Sequence, residues 1–147
     1  ALHHCGLATH PDPFSAKLIG VRITNVLKCW PPGNKPQTDE LQRCGNHLRQ
    51  ELSMFWHAGV RQPRGVLCLG RIAHARTCAA LQTLLPTDAA DLPSFQHGHS
   101  QWLTPTLRLA ASYHPSAQNV NTGRLNAEML HAALAGLLAS QERRLGP

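Results

Sequence analysis

Three short apolar runs, residues 18–27, 65–69 and 106–112, are each followed by a stretch with apolar residues at helical spacing. Runs of that composition read as strands buried on both faces, the situation found in parallel sheets covered by helices. The alternation predicts an α/β fold, a three-layer α/β/α sandwich around a short parallel sheet, with sites at the carboxyl ends of the strands. At 147 residues the chain suffices for one domain with one core, so residues 1–147 read as a single unit.

The helices have their own signals. Thr38 is placed to cap a helix with Asp39 and Glu40 in its first turn and Leu41, Cys44, Leu48, Leu52 and Phe55 along one face. Gly70 turns the second strand into a helix carrying Ile72, Ala73, Leu81 and Leu84. Asn126 is placed to cap a last helix that buries Leu130, Leu134, Leu137 and Leu138. Residues 86–105, rich in Pro, Ser, Asp and His, read as a loop. Ala1 to Cys5, closed by Gly6, has the pattern of a helix's last turn. Five residues are too few to nucleate a helix alone, and the chain starts without Met, so an N-terminally incomplete domain is expected.

Fourteen Lys and Arg against eight acidic residues give a net charge of +6 and a pI near 9.6, which favours a polyanionic partner such as DNA or RNA. Only 15% of residues are charged and no long basic block occurs, so charge alone equally fits a merely basic surface. No apolar run reaches the roughly 18 residues of a membrane span, and no secretory signal is apparent, so a cytosolic location is expected. Five cysteines at irregular spacing argue against a disulfide framework. Cys68 and Cys78 read as small buried hydrophobes, whereas Cys29 and Cys44 leave metal binding open. His97-Gly98-His99 also admits a metal, although loop histidines are usually solvated.

His114 directly follows the third strand and precedes Pro115, which restricts its backbone on both sides. The position suits a positioned imidazole and equally an ordinary strand-end histidine. Asn25, at the end of the first run, offers a carboxamide with both donor and acceptor, or a turn former. The polar residues after His114, namely Ser116, Gln118, Asn119, Thr122 and Arg124, can contact phosphates or simply be solvated. Lys35, in the rigid Pro31-Pro32-Gly33-Asn34-Lys35-Pro36 loop, has the same two readings.

Two segments carry a resemblance. Tyr113-His114-Pro115-Ser116-Ala117-Gln118-Asn119 with Val120-Asn121-Thr122-Gly123-Arg124-Leu125, and Ile23-Thr24-Asn25-Val26-Leu27-Lys28-Cys29-Trp30 with the proline loop, resemble the uracil-DNA glycosylase superfamily, and within it the iron-sulfur branch called type 5. The resemblance runs over nearly the whole chain. It implies hydrolysis of the N-glycosidic bond of uracil or related deaminated bases in DNA, leaving an abasic site. It implies that His114 contacts the flipped base and stabilises the charge on it, that Asn25 recognises uracil, and that Lys35, Ser116, Gln118, Asn119, Thr122 and Arg124 contact DNA. It further implies that Cys29 and Cys44 are two of four thiolate ligands of a [4Fe-4S] cluster, the other two having no counterpart here.

The family's glycine-rich first motif, which helps position water and stacks a ring on uracil, does not appear, and three strands are legible where the superfamily uses four. The absent strand would lie between two of those present. The expected molecule is a monomer acting on DNA in the cytoplasm, with the nucleoid and without a membrane. Two other classes stay open: a DNA-binding remnant that no longer hydrolyses, and a metal or redox protein using Cys29, Cys44 and the histidines.

Overall fold

A computed structural model describes residues 1–57, 64–87, 89 and 91–142. In chain order it contains α1 (Thr38–His57), β1 (Arg64–Leu69), α2 (Arg71–Gln82), β2 (Ser100–Thr104), β3 (Leu107–Ser112), α3 (Ala117–Asn121) and α4 (Ala127–Glu142), preceded by 3-10 turns at His3–Cys5 and Pro32–Asn34. The sheet order is β1-β3-β2. β1 runs parallel to β3 over Arg64↔Leu107 to Leu69↔Ser112, and β2 folds back antiparallel on β3.

Side chains alternate between the faces of a strand, which sorts β3 into two sets. Leu107 and Leu109 join Cys68 of β1 and Leu103 of β2 against Leu48 and Leu52 of α1 and Ala80 and Leu81 of α2. On the opposite face Arg108 donates from Nη1 to the Gly136 carbonyl of α4 at 3.1 Å, and Ala110 and Ser112 are buried. Helices therefore cover both faces of the sheet, giving the three expected layers. The sheet itself is mixed.

The antiparallel strand overturns part of the sequence reading, since Ser100–Thr104 lies inside the stretch read as loop. The segment is short and Ser/Gln/Thr-containing, so its strand character comes from pairing with β3 rather than from its own apolarity.

A second correction concerns residues 18–27, which form no strand. Among the described residues their ladder contact is a single bridge, Ala8↔Leu18, and Ile23 is 63% exposed. An apolar run becomes a strand only beside a partner that takes up its backbone groups. Here side chains fasten the segment instead. The Glu51 carboxylate of α1 accepts from Arg22 Nη2 at 3.0 Å, Thr24 Oγ1 at 2.6 Å and Lys28 Nζ at 2.8 Å, while Val26 packs on the core. The Glu51 carboxyl is held below its ordinary value. Partial desolvation pushes it up, and the hydrogen bonds from Lys28 and Thr24 with the charges of Lys28 and Arg22 outweigh that push.

Helix ends differ in detail. Asn126 caps α4 as expected, its Oδ1 accepting from the Met129 N–H at 2.8 Å, and Leu134 and Leu137 are buried. At α1, however, Thr38 is already helical. The Glu40 carboxylate reaches back to the Gln37 N–H at 2.8 Å, the acidic arm of a capping box. In α2 the buried residues are His74, Thr77, Ala80 and Leu81, while Ile72 is 51% exposed and turned off the core face.

Candidate functional site

The carboxyl ends of β1 and β3 meet at Gly70 and His114. Because the strands are parallel and in register to Leu69↔Ser112, both chains leave the sheet side by side. The Gly70 N–H donates to the Ser112 carbonyl at 2.7 Å. A Cβ placed on Gly70 would sit 3.0 Å from the His114 Cβ, and Gly70 has φ 98° and ψ 163°, a region essentially reserved for glycine. Two constraints thus select glycine there, and the result is an exposed imidazole on a backbone that packs against β1's exit.

From His114 the chain turns into α3. Ser116 caps that short helix, its Oγ accepting from the Asn119 N–H at 3.3 Å. Asn119 then closes the loop, donating from Nδ2 to the His114 carbonyl at 2.8 Å while its own carbonyl accepts from the Leu125 N–H at 3.0 Å. Leu125 is almost fully buried and anchors the far end. Thr122 donates its hydroxyl hydrogen to the Gln118 carbonyl at 2.8 Å, so it has no hydrogen left to offer a phosphate. Gln118 is exposed. The polar loop is therefore largely an internally bonded unit, with a short helix that its polar composition does not announce.

Tyr113 carries the cationic part of the site. The His97 ring stacks on it at 4.6 Å with 13° between planes, and the Arg124 guanidinium lies 4.7 Å from the same ring's centre. Phe95 joins the cluster, touching Tyr113 and the buried His74, with the Arg71 guanidinium 5.1 Å from its centre. Guanidinium–ring contacts of this kind contribute about 0.5–1 kcal/mol at exposed positions. They hold two positive charges on the aromatic cluster that begins one residue before His114. Burial, and the nearby charge of His99, push the His74 imidazole below its ordinary value.

The other residues singled out in the sequence sit elsewhere or in other roles. Asn25 is exposed in the irregular 18–27 segment, without a strand to deliver it to the sheet end, and makes no hydrogen bond with any described residue. Lys35 is exposed just after the Pro32–Asn34 turn, its N–H donating to the Pro32 carbonyl at 3.2 Å. Cys29 and Cys44 do come together. Loss of solvation, a hydrogen bond to Cys44, and repulsion from Cys44 and Glu40 push the Cys29 thiol up, and Cys44 Sγ accepts from the Lys28 N–H at 3.4 Å. Among the described residues no three His, Cys, Asp or Glu side chains gather where they could hold a metal ion.

Sequence reasoning missed three participants. Gly70 was legible as a turn but not as a contact of His114, because the contact exists only once β1 and β3 are paired. His97 was read as solvated, yet it is half-buried on Tyr113. Glu51 gave no signal among the polar positions of α1.

Comparison with known proteins adds a lineage. The family model described as the uracil DNA glycosylase superfamily matches residues 1–138. The chain is 41% identical over 138 residues to a type-5 uracil-DNA glycosylase of Pyrobaculum aerophilum, covering 91% of this chain and 55% of that protein. It is 35% identical over 133 residues to the type-5 enzyme of Thermus thermophilus, covering 87% and 55%. A type-4 uracil-DNA glycosylase of Archaeoglobus fulgidus is 34% identical over 98 residues, covering 66% and 45%. The chain thus spans about half the length of the curated relatives it matches.

Proposed function

This chain belongs to the uracil-DNA glycosylase superfamily, and from that premise we propose that it acts in DNA repair by hydrolysing the N-glycosidic bond of uracil or a related deaminated base, leaving an abasic site. The observation that carries the reading is the placement of His114, exposed at the exit of β3 with its backbone packed on Gly70 and the loop 115–125 folded directly after it.

Cleavage of that bond leaves an oxocarbenium-like sugar and an anionic base, and a donor already fixed near the base's carbonyl oxygen lowers the barrier. The His114 imidazole takes that role. Its backbone is held before substrate arrives, so little reorganisation is needed when charge develops. A base in duplex DNA must first be turned out of the stack. The vacated space is filled from the loop after His114, and phosphates are met by Lys35, Gln118 and Arg124, with the Ser116 hydroxyl hydrogen and the second Asn119 amide hydrogen as further donors. Thr122 acts in shaping the loop. Asn25, carried on the irregular 18–27 segment and not on a strand end, is proposed to discriminate uracil from cytosine, whose donor and acceptor pattern is reversed at the edge a carboxamide reads.

The protein is proposed to work as a monomer in the cytoplasm, with the nucleoid, residues 1–147 belonging to one glycosylase domain. No described helix is long and apolar enough to cross a membrane. The lineage also implies a [4Fe-4S] cluster, which takes four thiolates. Cys29 and Cys44 would be two of them, and the described residues bring no third ligand to that pair. The described residues therefore do not fit a complete cluster.

The test is single-turnover release of uracil from a labelled U·G duplex by this polypeptide, followed by alkaline cleavage of abasic sites. Strand scission that is lost in His114→Ala is expected. Folded protein that gives none, or a His114→Ala protein as active as its parent, overturns the reading.

A further inference from the structure

Beyond the groups that meet substrate, the structure assigns His97 as a positioning residue for His114, acting through the backbone of Tyr113; the assignment rests on the glycosylase reading above. The sequence Gln96-His97-Gly98-His99 folds into a tight turn in which the His99 N–H donates to the Gln96 carbonyl at 3.2 Å and Gly98 has φ 77°. Positive φ at the third residue is the mark of a type II turn, and glycine is the residue that adopts it without strain. Gly98 and His99 then oppose one residue of β3. The Gly98 N–H donates to the Ala111 carbonyl at 2.8 Å, and the Ala111 N–H donates to the His99 carbonyl at 3.0 Å. That is the pattern of a bulge with glycine in its first position, which bends a strand and re-aims a side chain.

The side chain so aimed is His97. Amide hydrogens two residues apart on a strand point the same way, so the N–H of Tyr113 faces the side already used by Ala111. A regular ladder would meet it with a carbonyl. Here the chain has turned away at Gly98, and the Tyr113 N–H donates instead to His97 Nδ1 at 3.1 Å while the two rings stack. Only an imidazole with its hydrogen on Nε2 can accept at Nδ1. On the other edge of β3, Ser112 is held by Gly70. The Ser112–Tyr113 peptide, one peptide short of His114, is thus gripped from both neighbours, its carbonyl by Gly70 on one side and its N–H on the other by a side chain standing in for a strand.

Stacking and hydrogen bonding can be separated. His97→Phe keeps a ring on Tyr113 and removes the acceptor, whereas His97→Asn places an amide oxygen near Nδ1 and removes the ring. Two quantities are measured for parent and variants after thermal melts establish folding: hydrogen exchange at the Tyr113 amide, and single-turnover uracil excision alongside the Kd for an uncleavable U·G duplex. We expect His97→Phe to exchange the Tyr113 amide and to lose excision rate each by about tenfold or more, with Kd unchanged, and His97→Asn to restore both to within about threefold of the parent. Parent-like exchange or excision in His97→Phe overturns the assignment, as does His97→Asn no better than His97→Phe. A parent that excises nothing overturns the glycosylase reading and with it the catalytic part of this assignment, while the Tyr113 amide still decides whether His97 holds the strand exit.

Discussion

Gly70→Ala isolates the contact on which the site depends. The substitution adds one methyl group, and the structure assigns it two separate costs. The first is backbone strain at φ 98°, ψ 163°, about 1–3 kcal/mol for a residue with a side chain held in that region. The second is steric, because the new Cβ would lie 3.0 Å from the His114 Cβ, closer than carbon atoms pack, whose optimal separation is about 3.5–4.0 Å. Relief requires β1's exit and His114 to part by roughly 0.5–1 Å. Together these give a destabilisation of about 2–4 kcal/mol, and for a chain of this length each kcal/mol lowers the Tm by roughly 2–4 °C. Displacement of the imidazole on that scale costs up to roughly a hundredfold in rate. Thermal unfolding and single-turnover excision of uracil read the two effects separately. Gly45→Ala is the control, since Gly45 sits in α1 with no atom within 4 Å of a built Cβ, and there the same methyl group should raise stability by about 0.4–1 kcal/mol. A Gly70→Ala protein that melts and excises like its parent would refute the claim that β1 and His114 are in close contact.

Three further outcomes follow from other parts of the molecule. Glu51 has a depressed folded-state pKa, so the stability it contributes is present above the ordinary carboxyl range and is lost as pH falls through its folded value; limited proteolysis should open residues 18–28 in the parent only once the pH is taken below the ordinary carboxyl range. Glu51→Gln should show the same opening already at pH 7, and equal protection of the two proteins at pH 7 would contradict the anchoring role. Asn126→Ala removes the cap of α4 and should lower stability by about 0.5–2 kcal/mol, read as a fall in Tm; an unchanged Tm counts against it. Burial drives the Cys68 thiol up to about 12, with Thr77 pulling the other way, so iodoacetamide at pH 8 should leave Cys68 unmodified in the folded protein. Its early alkylation in a peptide map would show that β1 is not covered as described.

The layers and most helix faces were legible because they depend on local periodicity. Cys44, Leu48 and Leu52 recur at the spacing of one helical face, and β3 has an apolar run long enough to be recognised alone. What failed depended on partners. Residues 18–27 have strand composition without a ladder, and Ser100–Thr104 has a ladder without strand composition. Thr38 and Ile72 failed by a smaller margin, one by a residue of helix boundary and one by the rotation of α2. At the site, His114 was visible from its strand and its proline, but Gly70, His97 and Asn119 act through contacts that exist only after the sheet and loop have closed. Asn25 shows the converse, a residue whose sequence position promised a strand end that the fold does not supply.

The bonds converging on Asn119 separate two kinds of freedom. Because the loop after β3 is tied back to the His114 carbonyl at its start and to Leu125 at its end, the outward positions Gln118, Val120 and Asn121 form a cassette whose contents are insulated from the core. Randomising those three positions should therefore explore surface chemistry without renegotiating the architecture. Drift there leaves the fold intact and at Gln118 alters only a proposed phosphate contact, whereas a change at Asn119 itself alters the frame that holds every other member of the loop.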